Sequence, residues 1–93
     1  MEVVELSVPE IIAYVRDQYI EPARKRGERQ VVIRAGDVHV EMELKHRQPL
    51  VCHTLTSEKL LRQCNMRLVN EKRGPRVHQK HAPNIWYTYE LKY

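Results

Sequence analysis

Phenylalanine is absent from these 93 residues. Large-ring packing must therefore come from one tryptophan, Trp86, and five tyrosines. Long apolar runs are also missing. None approaches the roughly 20 residues that span a bilayer, and the N-terminus lacks the apolar core of a signal peptide. The expectation is a protein that meets no membrane and resides in the cytoplasm. Cysteine is scarce, with only Cys52 and Cys64, both among apolar residues. That excludes a disulfide framework and reads as reduced thiols.

The chemistry of catalysis is missing too. There is no glycine-rich phosphate loop, no nucleophile elbow and no carboxylate pair with room for a pocket. One small core leaves little space for one. No enzymatic activity and no cofactor are expected. Cys52, His53, Cys64, His78 and His81 are potential metal ligands. Zinc sites, however, use paired short spacings, and only His78 and His81 stand close together. No metal is expected.

Residues 1–93 are long enough for one domain with one core. Apolar residues make up 42% of the chain and charged residues 30%, which fits a globular protein. The net charge is +4, and it is unevenly spread. Residues 1–23 carry five acids and one base, whereas residues 24–93 carry fifteen bases and seven acids. A basic body behind an acidic first helix points to a polyanionic partner.

Local signals outline the elements. Ser7-Val8-Pro9-Glu10 is a capping-box pattern with proline in the first turn. Ile12, Val15, Tyr19 and Ala23 follow at helical spacing, so helix 1 runs from about Pro9 to Arg26, with Pro22 as a kink or an early end. Gly27 is its stop. Val31-Val32-Ile33-Arg34 is a short β-branched strand. Asp37 caps the next helix, which puts Val38 and Met42 on one face before Leu44 turns back to the core. Pro49 opens a third helix with Val51 and Leu55 inward. That phase turns Gln48, Cys52, His53 and Thr56 outward. Ser57 caps a further helical turn, and Asn65 is a left-handed stop. Arg67 to Lys72 is a strand with Leu68 as its inward anchor. Ile85, Tyr87, Tyr89 and Leu91 alternate with Trp86, Thr88 and Glu90 in a period-two strand, so both tyrosines face inward and Trp86 faces out. The expected class is α+β: three to four helices with a small three-stranded antiparallel sheet that ends in a C-terminal hairpin.

The loop between the last two strands is the most informative segment. Residues 72–83 hold Lys72, Arg73, Arg76 and Lys80, with His78 and His81, and no acid. Gly74 and Pro75 keep it out of regular structure. Such a loop suits a phosphate backbone, and binding through it falls steeply with salt.

The segment from Asp37 to Leu55 resembles a helix-turn-helix unit. Val38, Met42 and Leu44 match the apolar positions of its first helix and turn, and Arg47-Gln48-Pro49-Leu50-Val51 opens what looks like its recognition helix. Glu43 stands where many such turns carry glycine, and the turn is one residue longer than the tightest form. With helix 1 and the hairpin included, nearly the whole chain is similar to the winged helix-turn-helix DNA-binding superfamily. The resemblance implies a recognition helix, about 48–57, in the major groove of duplex DNA and a wing, 72–83, on the flanking backbone. Gln48, His53 and Thr56 would meet bases or backbone. Arg47 would lie at the helix entry, and Lys45 and His46 would lie nearer phosphate. Lys72, Arg73, Arg76, His78 and Lys80 would carry the wing contact. A transcriptional regulator is the implied role. Such domains often pair as homodimers, with helix 1 or Trp86 as the candidate contact. Two other readings stay open: a protein-interaction module on the same scaffold, and an RNA or single-strand binder that uses the loop and the aromatic residues.

Overall fold

A computed structural model describes residues 8–45, 48–74 and 83–93. The chain is an α+β protein. Its order is α1 (Val8–Val15), a π-helical turn (Arg16–Ile20), α2 (Glu21–Lys25), β1 (Gln30–Arg34), α3 (Ala35–Glu41), α4 (Gln48–Leu55), α5 (Glu58–Gln63), β2 (Met66–Arg73) and β3 (Ile85–Leu91). The strands form one antiparallel sheet in the order β1-β3-β2.

The expected single first helix is interrupted. Pro22 has no N–H to give the Gln18 carbonyl, and its ring crowds that carbonyl. The helix widens just before it, where Glu21 donates its N–H to Arg16 O, five residues back. A π turn of this kind accommodates a local misfit within a continuous run of helical residues. Gly27 then ends the segment at φ 74. Its N–H and that of Glu28 reach the Arg24 and Ala23 carbonyls, the two-bond closure that favours a left-handed residue. The Ser7 half of the expected capping box lies outside the described residues.

α3 starts earlier than expected. Its N-cap is Arg34, so Asp37 sits inside the first turn and caps nothing. Its carboxylate instead accepts from Arg34 Nη1 at 2.7 Å. The strand simply feeds straight into the helix, and no cap is needed where the chain is held by its neighbours. Ser57 does cap α5, accepting from the Leu60 N–H. Asn65 takes φ 51 as expected of a left-handed stop.

The core lies between the helices and one face of the sheet. Ile11, Ile12 and Val15 from α1 meet Ile33, Val38, Val51, Leu55 and Leu60, all at 0–1% exposure. β3 supplies the other wall through Ile85, Tyr87, Tyr89 and Leu91, in the alternation its sequence predicts. In β2 the buried anchor is Met66, while Leu68 is only half-buried. Both residues lie on the inward face, with Leu68 packed at the edge of the core, and a bulge between Leu68 and Asn70 then breaks the inward–outward alternation of the strand.

With no phenylalanine available, two tyrosines fill the middle, and a buried phenol needs a partner. Tyr89 donates to Leu55 O at 2.5 Å. The Tyr87 hydroxyl bonds the Cys52 side chain, and burial above all pushes both phenols above their ordinary value.

Candidate nucleic-acid interface

The recognition-helix candidate is α4, and its rotation is set by those two tyrosines. Tyr89 grips its last carbonyl, and Tyr87 meets Cys52 one turn earlier. Cys52 is therefore buried, at 2% exposure, and the expectation that it faces outward is wrong. The inward face is wider than the spacing of Val51 and Leu55 implies. Thr54 is also fully buried, which its hydroxyl tolerates by donating to Leu50 O at 2.8 Å. That leaves His53 and Thr56 as the exposed residues of the predicted set on this helix, with Gln48 half-buried. The Gln48 Oε1 atom is buried with no hydrogen-bond partner among the described residues. Thr56 spends its donor on the Cys52 and His53 carbonyls, so its hydroxyl can only accept from a partner.

The turn before α4 is built on a residue the sequence makes unusual. Glu43 takes φ 56. Its N–H reaches Val40 O and the Leu44 N–H reaches His39 O, each at 3.0 Å. This is the left-handed helix ending that glycine usually serves, made here by glutamate. Leu44 then packs against the core as expected, and Lys45 is exposed. His46 and Arg47 lie outside the described residues.

Lys72 and Arg73 are exposed at the end of β2. Arg73 faces Glu71 at 3.4 Å. Arg76, His78 and Lys80 lie outside the described residues, and hydrogen bonds hold the residues on either side of that segment. Gly74 donates its N–H to Asn84 O at 2.8 Å, and Gly36 donates its N–H to Pro83 O at 2.9 Å. Arg34 completes the clamp. Its Nη2 donates to Asn84 Oδ1 at 2.6 Å, its Nη1 holds Asp37, and its guanidinium stands 5.8 Å from the centre of the Trp86 ring. The basic loop is thus anchored beside the N-terminus of α3. Sequence reasoning missed Arg34, Gly36 and Asn84. The only signal was the period-two pattern that places Arg34 on the same sheet face as Trp86, its register partner.

The anchor depends on Gly36 having no side chain. A Cβ there would stand 2.9 Å from Pro83 Cβ and 3.0 Å from Pro83 O. Gly36→Ala is expected to force the loop exit away from α3 and to cost about 1–3 kcal/mol, as overpacking does. An unchanged melting temperature would contradict so close an approach.

A second polar cluster ties α1 and the π turn to α3. Tyr14 and Tyr19 both donate to Glu41 Oε1 at 2.7 Å, with their rings edge-to-face at 6.4 Å. Burial first, then the carboxylate, pushes Tyr14 up to about 12 and Tyr19 higher still. Burial also raises the Cys64 thiol, and both cysteines are free. Among the described residues no group of three or more His, Cys, Asp or Glu could hold a metal ion, and no helix is long and apolar enough to cross a membrane.

Compared with known proteins, the chain matches no family model, no curated protein and no solved structure.

Proposed function

We propose that this protein is a winged helix-turn-helix domain that binds duplex DNA through α4 and the loop after β2, and that it serves as a transcriptional regulator. The observation that carries this reading is the loop of residues 72–83, which has four cations and no acid and whose two ends are pinned beside α3. A loop held at both ends and free of acids is suited to neutralising phosphates. Three further features support the winged-helix reading: a strand between the first and second helical segments, the sheet order β1-β3-β2, and a tight left-handed turn before α4. His53 is exposed on α4 with a ring free to meet a base edge, while Lys45, Lys72 and Arg73 suit backbone contact.

Anisotropy titration of random duplex pools across salt tests the proposal. Affinity should fall steeply as salt rises. Arg73→Ala combined with Arg76→Ala should weaken every duplex alike and flatten the log–log salt slope by about 2, roughly 0.9 for each phosphate no longer neutralised. His53→Ala should instead change which sequences are selected. Absence of binding to any duplex at low salt would remove the reading.

A further inference from the structure

The outer face of the sheet carries a groove of which the duplex reading uses only Lys72. Its volume is about 340 Å³, within the range of small-ligand sites, and it is lined by Val32, Asn70, Lys72, Gly74, Trp86 and Thr88. Two rungs of the sheet make it. One runs Val32–Thr88–Asn70, and the next runs Arg34–Trp86–Lys72. The Trp86 ring forms the apolar wall, and Val32 is 56% exposed on the same face.

Three observations say what fits there. First, the ring is already held. Arg34 stands over it while itself tied to Asp37 and Asn84, and Gly74 leaves only 3.4 Å between a would-be Cβ and Trp86 Cζ3. A preorganised ring loses little freedom when a planar partner stacks on it. Second, the charge beside the groove is unbalanced. Arg34, Arg67 and Arg73 each face a carboxylate, from Asp37, Glu90 and Glu71. Lys72 makes no ion pair among the described residues, so its ammonium favours a negatively charged occupant. Third, Lys72 and Gly74 belong both to the groove and to the start of the acid-free segment, so a polyanion held by Lys72 has the groove beside it. A planar apolar ring joined to a phosphate is a nucleotide. A base inside a duplex has both faces covered by its neighbours, whereas an unpaired base exposes its face to stack.

We propose that the Trp86 groove binds an unpaired base of single-stranded nucleic acid, with Lys72 on the adjoining phosphate and Asn70 and Thr88 available to the base edge. The assignment rests on the reading of residues 72–83 as a phosphate contact, but not on duplex DNA being the ligand. It adds a strand-state preference: a duplex carrying a single-stranded overhang is bound more tightly than the blunt duplex of the same length.

Trp86 is the one tryptophan of the chain, so fluorescence excited at a wavelength that its tyrosines do not absorb reports on this ring alone. The experiment titrates the protein with thymidine and uridine oligomers of about a dozen nucleotides, a length typical of single-strand sites, and with a blunt duplex. Saturable quenching by either oligomer, and none by the blunt duplex, is the expected result. Trp86→Leu should lower oligomer affinity roughly 5- to 150-fold, the range of one stacked base, and leave blunt-duplex affinity unchanged. Trp86→Tyr should retain most of it. If Trp86→Leu does not fold, as judged by circular dichroism, Thr88→Glu puts a carboxylate in the groove and should give the same loss. Oligomer binding without a fluorescence change overturns the proposal. So does oligomer affinity indifferent to these variants, or sedimentation showing that a second copy of the chain covers Trp86. Quenching by oligomers with no blunt-duplex binding would sink the duplex reading and leave this one standing.

Discussion

Replacing Arg24 with alanine is expected to destabilise the protein by about 2–4 kcal/mol, because one guanidinium closes three separate segments on each other. Arg24 leaves α2 and donates to Cys64 O at 2.5 Å, Asn65 O at 2.9 Å and Lys92 O at 2.7 Å. Its guanidinium carbon also stands 5.2 Å from the centre of the Tyr93 ring. The Cys64 carbonyl is left over at the end of α5, where a helix has no further N–H to offer, and the Asn65 carbonyl also accepts from the Lys92 N–H at 3.0 Å. Hydrogen bonds from a charged donor contribute about 1.5–3 kcal/mol each. Arg24 is half-buried and the three bonds share one donor group, so the total falls short of their sum. For a chain of this size the loss corresponds to a fall of roughly 10–25 °C in melting temperature. Arg24→Lys should recover only part of it, since a single ammonium does not reproduce the planar fork. A loss under about 0.5 kcal/mol, the range of an ordinary surface change, would show that the clamp is idle in solution.

Alkaline pH is expected to unfold the protein between pH 10 and 12. Tyr87 and Tyr89 are 1% and 0% exposed, and burial raises both phenols from the ordinary 10.0. Their contribution is complete below pH 10. Above it the unfolded chain releases phenolic protons while the folded chain retains them, so stability falls as pH rises. Each such group lowers stability by about 1.4 kcal/mol per pH unit in that window. Tyr87 alone removes roughly 2.7 kcal/mol by pH 12, and Tyr89 adds to that loss in the same direction, against typical domain stabilities of about 5–15 kcal/mol. Tyr14 and Tyr19 act in the same direction. Circular dichroism and tyrosinate absorbance followed together should show one shared transition. Tyr87→Phe should make the loss of stability with pH shallower. If the tyrosines ionise near pH 10 with the fold intact, the buried phenols are not what holds α4 to the sheet.

Much of the architecture was legible from local rules. The spacing of Ile12, Val15 and Ala23, the alternation from Ile85 to Leu91, the Ser57 cap and the stops at Gly27 and Asn65 all appear where the residues imply. Each depends on sterics or hydrogen bonds within a few residues. The candidate site was less legible. Lys45, His53, Thr56, Lys72 and Arg73 are exposed as a contact surface requires. The placement of Cys52, however, hangs on two tyrosines more than thirty residues away, and the spacing of Val51 and Leu55 is satisfied by more than one rotation of α4. The misplaced cap at Asp37 has a similar cause. A helix entered directly from a strand gains its N-terminal partners from the rest of the fold, here from Pro83 O through the Gly36 N–H.

Lack of phenylalanine obliged tyrosine to fill the core, and the alternating pattern alone determined that Tyr87 and Tyr89 point inward while Trp86 points out. Composition alone likewise determined that residues 72–83 carry four cations and no acid. The tertiary structure decided the rest: which carbonyls the buried phenols reach, how α4 is turned, and where the basic loop is anchored. The physical reason is range. Period and capping act over a turn or a strand, whereas the Arg34–Asn84 and Arg24–Lys92 contacts join residues 50 and 68 positions apart, and no local pattern specifies which distant partners will meet.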